Sequence, residues 1–173
     1  MPTTNDMSAW NKVPHTQDGG DLRIPHEAWR TVKAAGTTVN STEAVYAANY
    51  GDFAGTEPLR YRKDPLGYVH LWGSVTKSGG APAANDNILT LPKGYWPAAN
   101  ATTMGYFFSC PTNKLTGAAG TPSIFLVVNV QTGSSAYGTL QIRFSAAGLA
   151  AGDRIVLDPI CFRAEDDDLR IAR

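Results

Sequence analysis

Histidine and cysteine are scarce in this chain, three and two among 173 residues. His15 and His26 stand eleven positions apart, not the i, i+4 spacing of a helical metal pair, and no close His/Cys cluster suits a structural zinc site. Two cysteines make no disulfide framework, so Cys110 and Cys161, both in strand-like contexts, are expected as buried free thiols. A surplus of one charge is also missing. Fifteen basic residues balance fifteen acidic ones, and the pI is about 6.8, so the electrostatic footprint of a nucleic-acid binder is absent. No basic segment leading into an apolar core opens the chain, so no signal peptide is expected. No apolar run approaches the roughly 18 residues of a transmembrane helix, so no membrane insertion is expected. Catalytic signatures are equally thin. Lys77-Ser78-Gly79-Gly80 lacks the leading glycine of a phosphate loop, and Gly133-Ser134-Ser135-Ala136-Tyr137 has tyrosine where a nucleophile elbow needs glycine. The expectation is a protein that is not an enzyme and carries no cofactor and no metal. Asp64, Asp86, Asp153 and Asp158 could still meet as the carboxylate pair of a glycan-degrading enzyme, although such residues more often form turns.

What the chain does have is glycine, proline and short apolar runs. Seventeen Gly and eleven Pro punctuate those runs, which favours strands and turns over helices. Strand patterns recur at 44–47, 59–63, 68–75, 88–91, 103–110, 123–130, 139–144 and 154–162, with Gly/Pro/Asn/Ser-rich connections between them. Eight short strands so spaced predict an all-β fold, an antiparallel β-sandwich of jelly-roll type. Ile124 to Val128 is apolar on both faces, which makes that strand central or turns its second face to another subunit. Pro159 predicts a bulge or an edge in the last strand. Three segments follow: an arm over 1–42, mostly irregular, the sandwich over 43–163, and an acidic, solvated tail over 164–173. In the arm only 25–35 has the pattern of a short helix, with Pro25 in its first turn. The arm also carries the large apolar side chains Trp10 and Trp29, which suit either a tail folded back on the sandwich or an anchor that packs on a neighbouring subunit or another protein.

The segment 58–97 holds the densest signal. Leu59, Tyr61 and Lys63 alternate with Arg60 and Arg62 before Asp64-Pro65-Leu66-Gly67, and Val69, Leu71, Gly73 and Val75 alternate with Tyr68, His70, Trp72 and Ser74 after it. Period-two patterns flanking a Pro/Gly turn predict a hairpin, with Gly67 free to take positive φ. The ordered pieces Tyr61-Arg62-Lys63-Asp64, Gly67, the apolar strand 69–75, Gly79-Gly80 and Thr90-Leu91-Pro92-Lys93-Gly94-Tyr95-Trp96-Pro97 resemble the C-terminal domain of bacteriophage tail-fibre and receptor-binding proteins. Asn49-Tyr50-Gly51 fits the family's entry loosely, and the strand succession to Phe162 follows it more vaguely. No collagen-like or heptad shaft precedes this domain, which leaves tail, baseplate and capsid all open as its place.

The resemblance implies a virion surface appendage, fibre or spike, made in the bacterial host cytoplasm. It would attach to the host cell surface as a homotrimer, with a cell-surface glycan as its partner and the arm docking on other virion proteins through Trp10 and Trp29. The alternative is a purely structural virion protein of the same fold, a capsid decoration or adaptor. Tyr95, Trp96 and Tyr137, with Lys93 beside them, fall in loop contexts where aromatic rings either cap the ends of a sandwich or stack on sugars; if a glycan binds, they are the residues expected to hold it. Tyr68, His70 and Trp72 share one strand face and read as core, as a trimer interface or as a sugar platform; the trimer interface is the expectation carried forward.

Overall fold

The computed structural model describes residues 27–37, 43–97, 106–113, 123–128, 138–144 and 149–164, with the backbone alone for 123–128 and 144. Twelve strands form: β1 (Arg30–Thr31), β2 (Val45–Tyr46), β3 (Tyr50–Asp52), β4 (Arg60–Lys63), β5 (Tyr68–Trp72), β6 (Ser74–Lys77), β7 (Asn87–Thr90), β8 (Tyr106–Asn113), β9 (Ser123–Val128), β10 (Thr139–Phe144), β11 (Arg154–Val156) and β12 (Cys161–Arg163). They build an all-β sandwich of two sheets, one ordered β1-β4-β5-β12 and the other β2-β7-β10-β9-β8-β11-β6-β3. Every pairing between named strands is antiparallel. Among the described residues there is no helix.

The β4–β5 hairpin closes as the alternation predicts. Asp64 N–H donates to Tyr68 O at 2.8 Å, Gly67 N–H donates to Asp64 O at 2.9 Å, and Gly67 takes φ +83°. A three-residue loop with glycine in the left-handed position matches the twist of the flanking strands. Leu59, Tyr61, Val69 and Leu71 point inward and are buried, while Arg60, Arg62, Tyr68, His70 and Trp72 point outward.

That alternation fails at Gly73, where the single strand expected over 68–75 divides in two. Ser74 and Val75 are both fully buried because β6 has left the four-stranded sheet for the eight-stranded one. Gly73 has φ +128°, and a Cβ there would sit 3.0 Å from the Leu59 Cα, so only glycine makes the corner. The last expected strand divides beside it, through the turn around Pro159, and β11 and β12 follow β6 and β5. The corner is stitched by Gly73 N–H to Asp158 Oδ1 (2.6 Å), Leu157 N–H to Gly73 O (3.0 Å) and Leu71 N–H to Ile160 O (3.2 Å). β12 is an edge strand, and β9 is central with a hydrogen-bonded neighbour on each side, as its apolar run and Pro159 suggested.

The eight-stranded sheet curls back on itself. Its terminal strands, β2 and β3, are joined by only Ala47, Ala48 and Asn49. That link reaches at most about 14 Å, whereas eight strands laid flat would separate them by about 34 Å. The edges therefore meet, and side chains tie the seam. Tyr46 donates to Asp52 at 2.6 Å, Tyr50 donates to Asp86 at 3.0 Å, and Lys77 Nζ reaches Asp86 at 2.6 Å.

In the described part of the stretch with the pattern of a short helix, 27–35, the chain forms no helix but a short strand and a bridge, ending in a turn. β1 pairs with β4, Val32 is buried, Val32 N–H donates to Leu59 O, and Lys33 N–H donates to Ala44 O. Backbone pairing and the burial of Val32 outweigh a weak local helix preference. Residues 27–37, read in sequence as arm, thus complete an edge of the sandwich, and Ala164, read as the start of the tail, is buried and bridges to Pro97. Trp10 and 165–173 lie outside the described residues. Both cysteines are free, but only Cys110 is buried, its thiol pushed to about 12 by burial and by the nearby Asp158. Cys161 is exposed, contrary to expectation, because it takes an outward position on the edge strand β12.

Candidate ligand-binding face

The outward face of the four-stranded sheet carries aromatic rings and guanidinium groups in register. Arg60 stands opposite Trp72, Arg62 opposite His70, Cys161 opposite His70 and Arg163 opposite Tyr68. Trp72 and Tyr68 are 54% and 41% exposed, values that place them outside the core. His70 is half-buried, with its Nε2 2.9 Å from Asp64 Oδ2. Burial alone would raise the Asp64 carboxyl; the hydrogen bond from His70 and the amides of Tyr68 and Leu66 outweigh it and hold the group below its ordinary value.

Trp29, just ahead of β1, lays its ring against the Arg62 guanidinium at 4.4 Å. Between Trp29, Arg60 and Trp72 lies a hollow of about 210 Å³. This is smaller than the roughly 300–1,000 Å³ of drug-sized pockets, so it suits one ring or a side chain. The Arg60 guanidinium is tied to Glu57. The Arg62 Nε is buried without a hydrogen-bond partner, and no carboxylate pairs with this arginine among the described residues.

The loop residues expected to bind glycan are placed differently. Tyr95 is only 7% exposed and packs edge-on against Tyr61, centroids 5.0 Å apart at 85°. Its hydroxyl donates to Glu27, and burial together with that bond pushes the phenol well above its ordinary value. Glu27 also accepts the Lys63 amide at 3.0 Å and pairs with Arg30 at 2.9 Å, so Tyr95 belongs to a structural knot. Trp96 is half-buried against the core, with its indole N–H donating to Leu91 O at 2.7 Å. A Cβ on Gly138 would overlap that indole, so the ring is packed tight. Lys93 is exposed at the turn, and Tyr137 lies outside the described residues. Tyr95 and Trp96 are thus packing residues here, because the turn after β7 folds them inward; a single sequence does not reveal the direction in which a loop folds.

The four aspartates of a possible carboxylate pair each accept a backbone amide. Asp64 takes Leu66 and Tyr68, Asp86 takes Ala83, Asp153 takes Ala150 and Asp158 takes Gly73. Among the described residues no three His, Cys, Asp or Glu side chains converge as metal ligands, and no helix is long and apolar enough to cross a membrane. The residues missed as site members are Arg60, Arg62 and, in this role, Trp29. The arginines were legible as one face of an alternating strand; Trp29 was not, because only the β1–β4 pairing brings it there. Comparison of the chain with protein-family models, with curated proteins and with solved structures found no match.

Proposed function

We propose that this chain is a surface appendage of a phage or phage-like virion, and that it attaches the particle to the host cell by binding a cell-surface glycan without catalysis. The observation that carries the reading is the outward row of exposed Tyr68 and Trp72 with half-buried His70 between them, on a hydrogen-bonded sheet beside a ring-sized hollow. Flat aromatic rings bind sugars with little loss of conformational entropy, and a hydrogen-bonded sheet fixes their spacing. The ordered motifs from Tyr61 to Pro97 add the resemblance to tail-fibre domains. The glycan face is therefore assigned to the four-stranded sheet instead of the Tyr95–Trp96 turn.

The working form is a homotrimer, whose three copies would supply avidity to weak individual sites. Its subunit contact is assigned to the outer face of β8, where Phe107 is exposed while Tyr106, on the opposite side, stacks on Phe162, and this frees the Tyr68–Trp72 row for ligand. An array of bacterial surface glycans probed with the purified chain, paired with adsorption to intact cells, tests the reading. Selective glycan binding that is lost in Trp72→Ala supports it. Incorporation into particles with no glycan or cell binding would instead favour a structural decoration or adaptor protein.

A further inference from the structure

We infer that the outer face of the four-stranded sheet selects a carboxylate-bearing sugar, the ring seated between Trp29, Arg60 and Trp72 and the carboxylate held by Arg62. The inference rests on the reading of the chain as a glycan-binding attachment protein and names the class of glycan. Two indoles line the hollow, and indoles offer flat apolar faces to the C–H side of a pyranose. The strand positions that point outward on β4, β5 and β12 include three arginines and no carboxylate. Among the described residues the acids nearest the face are all engaged: Glu57 by Arg60, Asp64 by His70, and Glu27 by Arg30 and the Lys63 amide.

Arg62 differs from Arg60. Trp29 covers its guanidinium, its Nε is buried with no partner, and no acid of the described residues neutralises it. Holding a charge partly out of water without a counter-ion is unfavourable, and a ligand carboxylate would relieve it. Arg62 lies two positions along β4 from Arg60, about 6.6 Å of strand, which an arginine side chain spans. A planar guanidinium stacked on an indole still presents its N–H edge, and that edge matches a carboxylate with two parallel hydrogen bonds. Neutral sugars could use the tryptophans but would leave Arg62 as it is. Carboxylated sugars engage both.

The test uses the purified full chain on an array carrying neutral, sialylated and uronate glycans, then titrates the best binder by tryptophan fluorescence at low and high salt. Carboxylated glycans should dominate, and reduction of their carboxyl groups to alcohols should weaken binding at least tenfold. Arg62→Gln and Trp72→Ala should each lose at least tenfold, Arg62→Lys should recover only part of the loss, and salt should weaken binding to the acidic ligand. The carboxyl-reduced ligand keeps the test decisive even if a variant unfolds. Equal or preferential binding of neutral glycans, still abolished by Trp72→Ala, overturns the acidic preference and leaves glycan attachment standing. Failure to bind any glycan overturns both. Conversion of the oligomer to monomer by Trp72→Ala in sedimentation overturns the inference by giving this face to a second copy.

Discussion

Trp96 and Trp72 show how far two tryptophans of one chain can differ in role. Trp96 has its N–H on the Leu91 carbonyl and its ring flat against Gly138, whereas Trp72 has more than half its surface in water. Truncating a half-buried indole and orphaning a carbonyl should cost about 2–3 kcal/mol. Trp96→Ala should therefore lower the melting temperature by several degrees, while Trp72→Ala should leave it nearly unchanged; calorimetry on the two variants checks this. Titration at the seam gives a second expectation. Burial pulls the Asp86 carboxyl up, but Lys77, the Ala83 amide and Tyr50 outweigh it and hold the group below its ordinary value. A depressed folded-state value contributes stability above the ordinary aspartate value of about 3.9, and that contribution is lost as pH falls further. Burial, then hydrogen bonds to Asp52 and Asp86, pushes the phenols of Tyr46 and Tyr50 far up. Their contribution is intact below about pH 10 and lost above it. The buried Cys110 thiol, also pushed up, adds a loss that starts near the ordinary thiol value of about 8.5. Urea midpoints should thus fall below about pH 4, begin to fall above about pH 8.5 and drop more steeply above about pH 10, and Asp86→Asn should make the acid limb shallower.

The corner at Gly73 governs the strands around it. Gly73→Ala forces a side chain into a backbone conformation that suits glycine and drives its Cβ to 3.0 Å from Leu59 Cα. A loss of about 2–4 kcal/mol is expected from strain and displacement together, measurable as a shift in urea midpoint. Gly55→Ala, a positive-φ glycine with open space around it, serves as the reference and should cost less. The contrast explains what was legible in the chain. The β4–β5 hairpin could be read because turn chemistry and period two agree over consecutive residues. The corner could not, since Ser74 continues the alternation as a polar outward residue until β6 changes sheets. β1 and β3 escaped notice because two or three residues carry no period; neighbours that arrive from elsewhere in the chain define them. The candidate face was half legible for the same reason. Its β4 and β5 residues lie in one hairpin, but Trp29 joins through the β1–β4 pairing, whose partners stand 29 and 31 residues apart.

At the scale of the molecule, a chain of zero net charge with Tyr106 and Phe107 exposed is prone to associate. Light scattering at micromolar concentration should return three times the chain mass of 18.5 kDa. Phe107→Ser should shift that mass toward the monomer without loss of the β-rich circular dichroism. A monomeric wild-type protein would contradict the trimer, and a trimer untouched by Phe107→Ser would move the contact elsewhere.

The pairing of the last strands with early ones has a further consequence, for biosynthesis. β11 fills the place between β6 and β8, and β12 completes the edge beside β5. Until residue 163 has cleared the ribosome, β6 and β5 wait with an open edge, their partners 80–82 and 91–95 residues further along the chain. Such late, long-range closure is slow and leaves strand edges open to other chains. A nascent chain stalled before residue 154 should be digested by protease throughout, whereas one extended well past residue 163, with its C-terminal strands outside the exit tunnel, should become resistant in a single step. Gradual protection as the chain lengthens would instead mean that the hairpins fold one by one during translation.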